Sequence, residues 1–148
     1  GGLYRYFPST FCIFAEIIRR EQKSALLSLK RAKDGEVSPD KILSVYLSHR
    51  MNSIASGNSG IDNAIGEFAA SSDEAREIAV KRAEDCINII SELITMGNKT
   101  GVFNCKDPVS IAKHISWVIE GMCKHSALCS ISAEDAEAEI SFIKNILK

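Results

Sequence analysis

The sequence predicts an all-α domain. Apolar residues recur along most of the chain at spacings of three, four and seven, the repeat of one helix face. Where all but the first of such repeats begin there stands a serine or aspartate followed by proline, or by an acidic residue three positions on, as at a helix N-terminus. No segment alternates apolar and polar residues as a half-buried strand would.

The first repeat starts at Ser9, carries Phe11, Phe14, Ala15, Ile18, Ala25, Leu26 and Leu29, and runs down near Asp34-Gly35, so a long helix is expected. Ser38-Pro39 supplies an N-cap and a proline at the first helical position; Ile42, Val45, Tyr46, His49 and Ile54 continue as a stripe to about Ser56. Gly57-Asn58-Ser59-Gly60 is the clearest loop. Ser59 with Asp62 resembles a capping box opening a short helix through Ile65 and Phe68, and Ser71 with Glu74 repeats the signature. Ala75, Ile78, Ala79, Cys86, Ile89, Ile90, Leu93 and Ile94 form the cleanest stripe, with Gly97 and Asn98 as its stop signals. Asp107-Pro108 opens a helix that is apolar on more than one face and must be covered on two sides. Ser132 with Asp135 caps the last helix, which carries Ala136, Ile140, Ile143 and Leu147.

At 148 residues, 45% hydrophobic and 25% charged, the chain has ordinary globular composition and the length of one domain. A chain of this size buries roughly 68–70% of its unfolded surface, which makes a core without metal or disulfide staples. Apolar runs such as Phe11 to Ala15 and Ile87 to Ile90 fall far short of the about 18 residues that a membrane span requires. Five cysteines, an odd count without framework spacing, read as reduced thiols, so a cytoplasmic location is expected. Residues 1–33 hold seven Lys/Arg against Glu16 and Glu21, while the remainder is acidic; the basic end suits a polyanion.

Catalytic signatures are missing from the pattern. There is no Ser-His-acid order, HExxH, phosphate-cradling glycine loop or paired Glu-x-x-His, so neither an enzyme nor a cofactor is expected. Cys123, His125 and Cys129 cluster in sequence, but only His125 and Cys129 share a helix face, and structural zinc prefers two closely spaced pairs. No metal site is expected, and buried cysteine is the default reading.

The segment Gly1-Gly2-Leu3-Tyr4-Arg5-Tyr6-Phe7-Pro8-Ser9 crowds aromatic, basic and glycine residues directly ahead of a helix start. Here the chain resembles the TetR family of bacterial transcriptional regulators, in which a recognition helix of the pattern Gly-x-Leu-Tyr-x-(His/Tyr)-Phe leads through Pro-Ser-Lys into a long helix. Leu3, Tyr4, Tyr6, Phe7, Pro8 and Ser9 match; Thr10 stands where the family usually has lysine and brings no charge to a phosphate.

The resemblance implies a TetR-like helical bundle: residues 1–10 as the remnant of a helix-turn-helix head whose first two helices would precede Gly1, and residues 11–148 as a ligand-sensing and dimerisation body. DNA contacts would come from Gly1, Gly2, Tyr4, Arg5, Tyr6 and Thr10, with Leu3 and Phe7 packing the head. A small, largely apolar ligand is expected among Phe14, Ile18, Tyr46, His49, Arg50, Phe68, Cys86, Ile89 and Trp117, with Arg50 or His49 as polar anchor. A homodimer is expected through Val118, Met122, His125, Ile140, Ile143 and Leu147. In this reading the chain is a repressor that binds palindromic operator DNA once its head is complete and is released by an inducer. The alternative is a helical protein-interaction module that never touches DNA, and a weaker third reading is an enzyme subunit.

Overall fold

The computed structural model describes residues 9–148. Among them the chain forms six α-helices and no strand: α1 (Thr10–Lys33), α2 (Pro39–Ala55), α3 (Gly60–Ala70), α4 (Asp73–Thr100), α5 (Pro108–Ser126) and α6 (Ala133–Ile146). None is long and apolar enough to cross a membrane. Residues 1–8, with the expected DNA contacts Gly1, Gly2, Tyr4, Arg5 and Tyr6, lie outside the described residues.

Helix ends follow the capping chemistry that the sequence advertises, with four corrections, the first being that Ser38 stands at the N-cap of α2 ahead of Pro39 but its side chain makes no cap hydrogen bond. The Ser9, Asp107 and Ser132 side chains accept from the backbone N–H of Cys12, Ser110 and Asp135, and Ser132 with Asp135 forms the full reciprocal box. At α4 the cap is Ser72, which accepts from the Ala75 N–H, while the Ser71 hydroxyl turns back to donate to the Phe68 carbonyl at 2.6 Å. The expected box of Ser59 and Asp62 does not form, because α3 has no side-chain cap. Nor does α4 stop at Gly97: it runs to Thr100, and Gly101, at φ 77° in the left-handed region, ends it.

Helix α4 is the hub, packing on α1, α2, α3 and α5, while α2 also carries α5 and α6. The main core joins Leu43, Leu47, Met51 and Ile54 of α2 to Ile90 and Ile94 of α4, Ala112, Ile115, Ile119 and Cys123 of α5, and Ala136, Ile140, Ile143 and Leu147 around α6. Each fully buried large side chain among these contributes about 1.5–3 kcal/mol over its exposed state. The face of α2 differs from the one expected. Val45 and His49 point to solvent, and the run 43, 47, 51, 54 faces inward. Apolar residues occur all round this helix, so its partners α4, α5 and α6 decide which side is buried.

Two smaller apolar clusters flank α1. One holds Ile18, Phe68 and Ala75 with Phe11, Phe14, Ile65 and Ile78, and in it the Phe14 and Phe68 rings stack at 4.8 Å between centroids. The other holds Leu29, Ala32 and Leu93 with Ile42, Ile89 and Met96.

Candidate functional site

A polar layer lies one helical turn from the aromatic cluster on three helices at once: Glu21 follows Ile18 on α1, Asp62 precedes Ile65 on α3, and Arg82 follows Ile78 on α4. From α2, Arg50 joins them, donating from Nη1 to Asp62 Oδ2 at 2.7 Å. Arg82 Nη2 donates to the other carboxylate oxygen at 2.8 Å, and Arg82 Nε reaches Glu21 Oε2 at 3.1 Å. One carboxylate thus bridges two guanidinium groups, with a second at the rim. The side chains are 18% (Arg50), 14% (Asp62) and 23% (Arg82) exposed, against 43% for Glu21.

The expected box at α3 would need the Asp62 carboxylate and the Ser59 hydroxyl at the helix end. Both Asp62 oxygens instead accept from Arg50 and Arg82, while Ser59 is not in the extended backbone conformation of a usual N-cap (φ −89°, ψ 27°) and its hydroxyl is buried beside Cys123.

Burial by itself would raise the Asp62 pKa, but the hydrogen bonds and charges of Arg50 and Arg82 outweigh it and hold the group below its ordinary value. Burial likewise works against both guanidinium charges and is outweighed, chiefly by the Asp62 bond, so their pKa values rise. Tyr46 stands one turn before Arg50, its hydroxyl 3.4 Å from the Cys86 sulfur. Burial, then the neighbouring Cys86, pushes its pKa up, so it is a neutral phenol at any physiological pH. Burial also raises the Cys123 thiol, which is therefore no activated nucleophile.

Hydrogen bonding in the layer is incomplete. Among the described residues, three buried side-chain polar atoms have no partner: Arg50 Nε, Ser59 Oγ and His114 Nε2. The Cys123 thiol lies beside two of these side chains, with Arg50 Nη2 at 3.8 Å from its sulfur and the Ser59 hydroxyl within weak hydrogen-bond reach of it.

No family model, curated protein or solved structure matches this chain.

Of the nine residues expected to line a ligand site, three meet in the polar layer (Tyr46, Arg50 and Cys86) and three in the adjoining aromatic cluster (Phe14, Ile18 and Phe68). Ile89 packs elsewhere, in the cluster with Leu29. His49 is exposed and Trp117 is 63% exposed, so neither faces the layer; both lie on the outward side of their helices. Asp62, Arg82, Ser59 and Glu21 were not among the site residues expected from the sequence, in which Ser59 and Asp62 read as a capping box. The signal that could have found them is the surplus of acidic and basic residues one turn from apolar stripe positions on three helices.

The expected dimer contacts divide. Ile140, Ile143 and Leu147 are at most 4% exposed and serve the chain's own core, so they have no surface to give a partner. Val118 and Met122 are half-buried and His125 is exposed. The large apolar side chains that α5 and α6 do turn outward are Val109, Trp117 and Phe142, with Leu128 just beyond α5. Thr10 is exposed at the start of α1. Among the described residues no group of three or more His, Cys, Asp or Glu is placed to hold a metal ion; Cys123 is buried, while His125 and Cys129 face out.

Among the described residues there are open surface depressions of about 420 Å³ beside Lys33 and Glu92 and of about 520 Å³ beside His49 and Ala133. Neither borders Arg50.

Proposed function

We propose that the chain is the sensing and dimerising body of a TetR-like, ligand-responsive transcriptional repressor, with operator DNA, a second copy and a small molecule as its partners. The observation that carries this reading is the charged, incompletely satisfied layer of Arg50, Asp62 and Arg82 inside an otherwise apolar helical body. Well-packed apolar residues would hold such a core at least as firmly, so a buried ionic cluster with spare donors is better suited to recognition than to stability. The layer offers no nucleophile with an adjacent base, which favours binding over catalysis.

Helix α1 gives the layer a route to DNA. It starts directly after the Leu3-Tyr4-Arg5-Tyr6-Phe7-Pro8-Ser9 segment and carries Glu21, the rim partner of Arg82. From Ser9 to Glu21 a helix rises roughly 18 Å at about 1.5 Å per residue. A ligand that binds better to one arrangement of the layer shifts the population of α1 orientations, and with it the spacing of two recognition helices that must meet successive major grooves about 34–36 Å apart. The exposed Trp117 and Phe142 supply the surface for the second copy.

A helical protein-interaction module is the second reading. It is favoured by the same exposed aromatics. Selection from a pool of random DNA duplexes, using the gene product read from its own start codon, separates the two. Enrichment of a palindrome supports the repressor; no enrichment at low or moderate salt refutes it.

A further inference from the structure

We propose that the N-terminal half of α3 is a hinged flap, latched shut by Asp62, whose opening bares the Cys123 thiol and the guanidinium of Arg50. The inference goes beyond the repressor reading and does not rest on it.

Little besides Asp62 anchors this stretch. Helices α1, α4, α5 and α6 start on a side-chain cap and α2 starts on Pro39, whereas α3 starts at Gly60 with neither. Its first backbone N–H groups therefore lack the partner that a cap supplies. The one buried residue of α3 is Phe68, near the far end, where it stacks on Phe14. In the first half Gly60 and Asn63 are exposed, and Ile61 and Ala64 are half-buried. The charge-assisted bonds from Arg50 and Arg82 to Asp62 are thus its firmest ties.

Glycines bound the flap. Gly57, at φ 72° in the left-handed region, turns the chain after α2, and Gly66 sits in the middle of α3. Packing does not require glycine at position 66, since a β-carbon there would meet nothing within 4 Å. A helix-interior glycine lowers the helical population about four- to fivefold against alanine, so its effect here is to ease unwinding at the midpoint of α3.

The flap covers a thiol. Ser59, 2% exposed, brings its hydroxyl to the Cys123 sulfur, and Arg50 Nη2 stands 3.8 Å from the same atom. When Asp62 leaves, Arg82 keeps Glu21 at the rim, but among the described residues Arg50 has no other ion-pair partner. Opening therefore frees Arg50 and uncovers Cys123. The main core stays closed, because α3 contributes no residue to it.

The test is native-state labelling of the whole chain with N-ethylmaleimide, in urea from zero to just below the unfolding transition, each cysteine being read by peptide mass spectrometry. Exposed Cys129 should label at once, as a control for the reagent. Cys123 is expected to label at a rate nearly flat in urea, because a local opening exposes little surface; labelling through global unfolding rises steeply. Asp62→Asn should speed Cys123 labelling by about 10- to 100-fold, the worth of a bond to a charged group. Gly66→Ala should slow it about four- to fivefold. Cys105, buried in the α4–α5 loop, should change far less in either variant.

A Cys123 rate that climbs with urea as steeply as global unfolding overturns the proposal. So does a folded Asp62→Asn in which Cys123 and Cys105 quicken equally or Cys123 does not quicken, and so does a Gly66→Ala chain that labels at the native rate. Gly66→Ala adds no clash and raises helix preference, so it keeps the test open should Asp62→Asn fail to fold. Palindrome selection bears on the repressor reading alone, and neither result decides the other.

Discussion

Replacing Gly97 by alanine tests whether the turn between α4 and α5 is built as described. Gly97 is buried within α4, and a β-carbon there would stand 2.7 and 2.9 Å from Cε2 and Cγ of the Phe103 ring and closer still to Cδ2. Unstrained carbon contacts lie at about 3.5–4.0 Å, so the ring must retreat by roughly 1 Å or more. Phe103 packs on the main core, and the Val102 and Phe103 N–H groups both donate to the Gly97 carbonyl, so the ring has little room to move. Overpacking of this kind costs about 1–3 kcal/mol, and the helix preference of alanine over glycine returns up to about 1 kcal/mol. The net loss expected is about 1–2 kcal/mol, or a fall in Tm of roughly 2–8 °C for a domain of this size. Urea and thermal unfolding followed by circular dichroism measure it in two backgrounds, native and Phe103→Ala. With the ring gone, Gly97→Ala should become neutral or stabilising. An equal loss in both backgrounds, or a gain in the native chain, refutes the steric argument.

Acid should loosen the polar layer. The Asp62 pKa is lower in the folded chain than its ordinary value of about 3.9, so the unfolded chain binds more protons in that range. Its contribution is therefore complete above about pH 4 and is lost as pH falls through the folded value; urea midpoints from pH 6 downward should fall less steeply in Asp62→Asn than in the native chain. Asn98→Ala removes two bonds that staple the start of the α4–α5 loop, Nδ2 to the Cys105 carbonyl at 2.7 Å and Cys105 N–H to Oδ1 at 3.0 Å, and should cost about 1–3 kcal/mol in chemical unfolding. Trp117→Glu and Phe142→Glu, both at exposed positions, should leave the fold intact and give monomers in sedimentation, whereas Ile140→Glu should unfold the chain; dimers that survive both surface changes would place the interface elsewhere.

Most helix starts were legible because a cap is a local event. Ser9, Asp107 and Ser132 bond to N–H groups three residues away, and a sequence displays both ends of such a bond. Ser59 and Asp62 show where that legibility stops. The same spacing that makes a box at Ser132 makes none here, because Arg50 and Arg82, distant in sequence, take both carboxylate oxygens and Ser59 lies buried beside Cys123. Gly97 failed in a related way: glycine reads as a stop signal, yet here it makes room for a ring six residues further on while Gly101 ends the helix. His49 and Trp117 were expected inside because they lie among the apolar stripe residues of their helices, but the sides they occupy are left uncovered by the packing of α2 and α5.

By itself the sequence determined that the chain is helical, roughly where each helix begins, and that it has enough apolar surface for one core, since these follow from periodicity and short-range hydrogen bonding. Only the tertiary structure decided which face of α2 is buried, that Ile140, Ile143 and Leu147 serve the chain's own core, and that Arg50, Asp62, Arg82 and Ser59 meet in one layer. The physical reason is that a helix apolar on several sides has no preferred inward face until its neighbours arrive. A buried charge, likewise, is tolerable only where partners from other helices converge on it.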